Sequence, residues 1–196
     1  MKKLISTVYG LILLGLAGQA QAIMLEFVPP SQGVNLGDPA SVDLVISDLG
    51  NLSPPSLGAF DLDILFNDSI LDNPAVTFGS ELDQGIFGSF AASADFGNSV
   101  NLFEISFEDP GVLDALQPDS FVLATIGFDT IGIGTSALTI NLIDLGDSLG
   151  NTLSATVGTG SITVRDPNAV PEPATLALMV LGLAGFGVST RRKRAA

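Results

Sequence analysis

Between residues 23 and 169 apolar side chains recur at every second position, in short runs divided by Gly, Pro, Asn and Asp. A period of two is the pattern of half-buried strands, and no stretch of this region sustains the 3.6-residue period of a long helix. After a leading strand at Met24–Val28, Ser41–Ile46 places Val42, Leu44 and Ile46 on one face. Ala59–Phe66 turns Phe60, Leu62, Ile64 and Phe66 inward and Asp61 and Asp63 outward, and Asn67-Asp68-Ser69 then makes a turn. Further strands are predicted at Ala75–Phe78, Val100–Phe107, Phe121–Phe128, Ala137–Leu142 and Gly160–Val164. Their inward sets are Phe103, Ile105 and Phe107; Ala124, Ile126 and Phe128; Leu138, Ile140 and Leu142; and Ile162 and Val164. Such strands, each with one apolar face, predict an all-β domain built as two antiparallel sheets packed about 10 Å apart, with a closed barrel as the second choice. Asp109–Asp119 leaves room for one helical turn, and the Gly/Ser/Ala-rich stretch Ser80–Asn98 has no assignable period.

Both ends depart from this pattern. Lys2 and Lys3 precede an apolar stretch from Leu4 to Ala17, and Ala20-Gln21-Ala22 supplies the small residues that signal peptidase accommodates, which predicts a signal peptide over residues 1–22 cut after Ala22. At the other end Val170-Pro171-Glu172-Pro173 leads into an apolar helix over 174–189 and a basic stop, Arg191-Arg192-Lys193-Arg194. The uninterrupted apolar run, about 15 residues at ~1.5 Å each, covers roughly 23 Å of a hydrocarbon core about 30 Å thick, so it suits a transient anchor better than a permanent span. The basic cluster stays on the cytoplasmic side. Two prolines keep residues 170–173 extended and accessible at the membrane edge. The chain therefore divides into residues 1–22, a single domain over 23–166, and a terminal segment over 167–196.

The order Pro171-Glu172-Pro173, short apolar helix with Gly182, Gly185 and Gly187, and arginine-rich end resembles the PEP-CTERM sorting signal of Gram-negative bacteria, also catalogued as the C-terminal domain of some ice-binding proteins. The resemblance implies recognition by an exosortase, a membrane-embedded thiol protease, cleavage near the tripeptide, and release to the cell surface or an exopolysaccharide-rich matrix. Within the body, Gly58 to Leu71, where a phenylalanine-led alternation runs into an Asp-containing turn, resembles a strand of the cohesin-like sandwich. Asp119 to Leu142 is similar to that family's later strand pair, joined through Gly132 and Gly134. This second resemblance implies a jelly-roll sandwich of the type grouped with carbohydrate-binding modules, and a role in binding.

Charge sharpens the functional reading. Only Arg165 is basic in the body, against twenty of the chain's 21 acids, for a net charge of −19; the other basic residues sit in the two terminal segments. Such a body repels phosphate backbones, which excludes nucleic acid as a partner. Cysteine and histidine are both absent. That removes disulfides, thiolate metal sites, His ligands and the usual neutral-pH general base. The acidic excess serves solubility in the first instance. Calcium, a hard cation bound by carboxylate and amide oxygens, is the sharper candidate ligand, at Asp61 and Asp63 with Asp68, and at Asp144, Asp147 and Asn151. No other cofactor is implied.

Paired carboxylates are the one catalytic apparatus available, and Asp61/Asp63, Glu104/Glu108 and Asp144/Asp147 are such pairs, but none has the surroundings that split two pKa values into acid and base. Trp is absent and the single Tyr, Tyr9, lies in the signal peptide, so the usual sugar-stacking platforms are missing; Phe87, Phe90 and Phe96 are the loose aromatic candidates. Thr159 and Thr163 are too sparse for the flat threonine array an ice-binding surface would prefer. The expectation is a non-enzymatic exported protein of the surface or matrix, handled by signal peptidase and exosortase, that meets extracellular polysaccharide or a surface protein and touches membrane only through the helix of its precursor. A calcium-dependent cohesin-like module binding protein or carbohydrate is the alternative, and a carboxylate glycoside hydrolase the third choice.

Overall fold

The computed structural model describes residues 22–168 and Met179. Ala20, the sorting motif Val170–Pro173 and the basic stop Arg191–Arg194 lie outside the described residues. The strands are β1 (Ile23–Val28), β2 (Ser31–Asn35), β3 (Ala40–Ser47), β4 (Leu57–Leu65), β5 (Leu71–Phe78), β6 (Ser89–Asp95), β7 (Ser99–Ser106), β8 (Phe121–Thr130), β9 (Gly134–Asp147), β10 (Ala155–Val157) and β11 (Thr159–Arg165), with one short helix, α1 (Pro110–Leu116), between β7 and β8. They form two separate sheets, so the domain is a sandwich and not a barrel. Sheet I runs β10-β1-β3-β8-β5 and sheet II runs β2-β11-β9-β4-β7-β6. Neighbours are antiparallel except at one flank of each sheet, where β10 joins β1 and β2 joins β11 in parallel.

The inner faces meet in one core. From sheet I, Leu25, Phe27, Leu44, Ile46, Ile126 and Phe128 point into it, and from sheet II, Phe60, Leu62, Ile64, Leu102, Leu138 and Ile162. Phe66 and Phe128 meet edge to face with ring centroids 5.1 Å apart, a geometry favoured by the ring quadrupoles. Because side chains alternate with a period of two, placing these residues inside fixes which residues face solvent.

Three strands were not anticipated, and each lacks the expected signal. Ser31–Asn35 has one apolar residue, Ala155–Val157 is only three residues long, and β6 is almost wholly exposed. One predicted face is inverted. On β7 the inward residues are Val100, Leu102 and Glu104, whereas Phe103 and Ile105 face outward and Phe107, just past the strand, is 57% exposed. The register with β4 sets this phase: Leu102 lies opposite Leu62 and Val100 opposite Ile64, and cross-strand partners share a face. Phe103, Ile105 and Phe107 made the opposite phase look the more apolar one.

β9 also extends well past Leu142. Its pairing with β4 shifts so that Asp61 faces Asp144 while Leu62 faces Leu142, leaving Ile143 as the extra residue of a bulge. The bulge returns Leu145 to the core and turns Asp144 outward. The helical turn is α1, with Asp109 accepting the Gly111 N–H at 2.8 Å as its N-cap and Pro110 in its first turn. At the helix end the buried Gln117 accepts the Leu57 N–H at 2.7 Å and donates to the Leu57 and Glu81 carbonyls, both at 2.9 Å. α1 thus sits against the start of β4 and the end of β9. β11 ends at the opposite pole, where Val164 pairs with Gly134 at the start of β9.

If the two-layer burial holds the domain together, Leu62→Ala, at a position with no exposure, lowers the unfolding free energy by about 2–5 kcal/mol. Leu65→Ala, on the outer face of the same strand, changes it by no more than about 0.5 kcal/mol. Urea titration of both variants measures the contrast.

A candidate docking face on the larger sheet

The outward positions of β6, β7, β4 and β9 form a continuous surface whose composition changes across the sheet. Phe90 of β6 lies opposite Ile105 of β7, and Ala92 opposite Phe103. The Phe90 and Phe103 rings are inclined at 59° with centroids 6.3 Å apart. Phe90 is 54% exposed, and Phe87, in the loop before it, 65%. The next strands inward carry acids and amides: Asp61 opposite Asp144, and Asp63 opposite Asn141. Asn101 ties this row together by donating its Nδ2 hydrogens to Asp61 Oδ1 at 2.8 Å and Asp63 Oδ1 at 3.0 Å. At the α1 pole the face ends in a concavity of about 280 Å³ with Ala59, Ile105, Leu113, Asp144 and Asp147 among its lining residues.

The residues named as calcium ligands fall at two places on this sheet. Asp68 sits in the exposed turn beyond β4, where Asn67 Oδ1 accepts the Ser69 N–H at 3.0 Å, whereas Asp61 and Asp63 lie within β4. Asp144 and Asp147 both lie at the end of β9 and line one concavity, while Asn151 sits in the turn beyond the strand. Asp147 Oδ1 accepts the N–H groups of Leu149 and Asn151 at 2.9 and 2.7 Å, and its Oδ2 accepts the Asn151 side-chain amide at 2.9 Å. Partial burial works to raise the Asp147 pKa, but the bonds from Asn151, Leu149 and Gly150 outweigh it and hold the carboxyl below its ordinary value. The carboxylate therefore caps its own turn. Among the described residues no three acidic side chains converge as a cation cage.

Two acids that the sequence offered only as a catalytic pair, Glu104 and Glu108, shape the edge of this face. Glu108 Oε1 accepts the Phe87 N–H at 2.7 Å and Oε2 the Ile86 N–H at 3.2 Å, with Gly88 as a further donor. A side chain at position 85 would collide with that carboxylate, so the close approach requires Gly85. Glu104, buried on the inner side of β7, accepts the Ser89 hydroxyl at 2.7 Å. Burial pushes its carboxyl above the ordinary carboxylate range, the Ser89 bond only partly offsets this, and the nearby Asp83 charge adds to it. These contacts, together with the bond from Ser106 Oγ to the Leu82 carbonyl at 2.6 Å, organise the unassigned stretch 80–98 into an anchored loop followed by β6. Neither acid faces the other as a general acid would face a base: one holds a loop and the other a strand.

Register also gathers threonines that looked sparse along the chain. Thr159 lies opposite Thr139 and Thr163 opposite Thr135 on the outer side of β9 and β11, the latter two with hydroxyls 3.0 Å apart. What the sequence reading missed at this site is mostly pairing: Asn101 as a bridge and Asp144 as the partner of Asp61 depend on a strand phase and a bulge. Asp61, Asp63 and Asp144 were visible as residues, and Phe90 as one of three aromatics in an unassigned segment.

Comparison with known proteins agrees at both levels. The PEP-CTERM protein-sorting motif matches residues 169–193, marking the precursor as an exported, membrane-anchored substrate for exosortase sorting. No curated protein matches the chain. Among solved structures, a type I cohesin–dockerin complex from Clostridium thermocellum aligns with TM-score 0.60 and 11% identity, covering 74% of this chain and 100% of that one. A non-cellulosomal cohesin from the archaeon Archaeoglobus fulgidus aligns at 0.54 and 17%, covering 75% and 92%. The cohesin module of a family 33 glycoside hydrolase from Clostridium perfringens aligns at 0.52 and 12%, covering 74% and 96%. At these identities the likeness is one of fold, and the body is a cohesin-like β-sandwich.

Two measurements follow from the site's electrostatics. Because the Glu104 pKa is raised above its ordinary 4.5, the folded chain holds this proton more tightly than the unfolded chain, and stability falls as pH climbs from 4.5 through the raised value. Glu104→Gln keeps an acceptor for Ser89 and removes the ionisation penalty, so it raises Tm at neutral pH and shows a smaller advantage at pH 4. Separately, millimolar calcium leaves the Tm of the mature protein unchanged, since a ligand held only by the folded state would raise it.

Proposed function

We propose that the mature protein is a non-enzymatic binding module of the cell surface or extracellular matrix, delivered by exosortase sorting and docking a protein partner through the outer face of β6, β7, β4 and β9. The observation that carries this reading is the face itself. Phe90, Phe103 and Ile105 expose apolar surface on a rigid sheet, beside a row of acids that Asn101 holds in place. Apolar anchors flanked by ordered polar groups are the usual anatomy of a protein interface. The solved relatives include cohesins in complex with dockerins, and docking of a folded protein is the same class of event.

The partner's chemistry follows from the surface. Asp61, Asp63 and Asp144 call for Lys or Arg at the centre of the contact, and the Phe90 end calls for aliphatic or aromatic side chains. Matrix polysaccharide enters this reading as the setting of the partner. The phenylalanines can pack on apolar groups but lack the polar handles of Trp and Tyr. Catalysis is not part of the proposal, because the paired acids that the sequence offered hold backbone N–H groups, the Ser89 hydroxyl or the Asn101 and Asn151 amides.

Recovery of the protein from its native host tests both halves of the proposal in one experiment. Mass spectrometry of the wild-type protein shows a C-terminus lacking Arg191–Arg194, and the protein sediments with the extracellular matrix. The triple variant Phe90→Ser, Phe103→Ser, Ile105→Ser is processed in the same way but stays in the medium. An intact basic tail on extracellular protein would overturn the sorting route, and unchanged retention of the triple variant would overturn the docking face.

A further inference from the structure

We propose that the free edge of β6 accepts an extended, cation-bearing segment of another protein as an added strand of sheet II. This surface is distinct from the outer face, since it is the backbone rim of the sheet and recruits hydrogen bonds rather than side-chain packing.

The two sheets have four edge strands, and three of them are blunted. β10 is three residues long, β2 is five residues with a central Gly33, and β5 carries Pro74 with a register break between Asp72 and Ala75. Short strands, prolines and bulges are the common devices that keep a sheet edge from pairing. β6 has none of them. It runs seven residues as Ser-Phe-Ala-Ala-Ser-Ala-Asp, its pairing with β7 is unbroken, and it is exposed along almost its whole length.

The direction of its backbone groups is fixed by two hydrogen bonds. Phe107 N–H donates to the Gly88 carbonyl at 2.9 Å, and Phe96 N–H to the Ser99 carbonyl at 2.8 Å. In an antiparallel ladder, bonded and non-bonded pairs alternate. Phe90, Ala92 and Ala94 therefore direct their N–H and C=O groups toward β7, and Ser89, Ala91, Ser93 and Asp95 direct theirs to the open side. A regular row of donors and acceptors faces solvent at the spacing a strand needs.

Charge selects the occupant. Asp95 closes the strand, Asp83 lies beside Gly88 at its start, and Asp72 stands on β5, the neighbouring edge of sheet I. The one described cation, Arg165, is on β11, on the other side of the β9–β4–β7 centre. A second copy of this chain would bring two such acidic flanks together, and like charges across a strand pair oppose association. A segment alternating Lys or Arg with apolar residues meets the acids and lays an apolar side chain beside Phe90.

The probe is a blocked, fluorescent octapeptide of alternating Val and Lys, read by anisotropy against the mature protein. The controls are the Val/Glu peptide and a Val/Lys peptide with a central Pro. Binding is expected for the first alone, with slowed amide exchange at Ala91 and Ser93. Ala91→Pro and Ser93→Pro remove open-side donors without touching the β7 ladder, and each weakens binding about tenfold or more. Ser93→Lys keeps the N–H, opposes the peptide's charge and also weakens binding, so it decides the matter if the proline variants fold poorly. Equal binding by all variants, no binding by the wild type, or a concentration-dependent dimer that protects Ala91 and Ser93 without peptide would each overturn the proposal.

Discussion

The apposition of two apolar layers is the constraint on which the rest of this protein depends. The chain has no cysteine, and within the described residues no carboxylate cluster stands ready to clamp the fold with a cation. What closes the domain is the burial of Phe27, Phe128, Leu44 and Ile126 against Phe60, Leu62, Ile64 and Leu102, a contribution that scales with apolar area removed from water. Since strand geometry gives each inward residue an outward neighbour, the core dictates the surface. Leu62 and Ile64 inside put Asp61 and Asp63 outside; Leu102 inside puts Phe103 outside. The docking face is thus the complement of the core, set by the same register.

Carboxylates play two opposed parts in that arrangement. Glu108 satisfies three backbone N–H groups of the loop before β6, so its burial is compensated at every turn. Glu104 has a single hydroxyl for partner and an acid nearby, and burial leaves it with a raised pKa. One acid anchors the edge of sheet II and the other strains it. Nearly every remaining acid points to solvent, which keeps an exported body carrying Phe90 and Phe87 on its surface dispersed in water.

Much of the fold was legible because most strands advertise a single apolar face. Val42, Leu44 and Ile46, or Phe60 through Phe66, can be buried in only one way. β7 was not legible, because Phe103, Ile105 and Phe107 compete with Val100 and Leu102 for the core, and only pairing with β4 decides between them. β6 was invisible for the converse reason: an edge strand exposed on both sides has no period to detect. The candidate site inherits both difficulties, since it is built where β6 and β7 meet. The carboxylates were visible as residues, but Asp144 reaches Asp61 only through the extra residue Ile143 in β9, and a bulge leaves no mark in composition. Asp68 shows the opposite failure, since nearness in sequence to Asp61 and Asp63 did not become a cluster of three carboxylates.

The direction of β11 gives the domain a polarity with respect to the membrane. Its last residue, Arg165, lies at the pole where β9 begins, and the apolar stretch starts nine positions further on, at Ala174, a reach of at most roughly 30 Å. While the precursor is anchored, that length caps how far this pole can stand from the bilayer. α1, the 147–151 turn and the concavity between them occupy the far pole, the 14-residue length of β9 or roughly 40 Å away. The tether leaves from the opposite end of the domain, so contacts made by the α1 tip do not have to wait for the chain to be cut free.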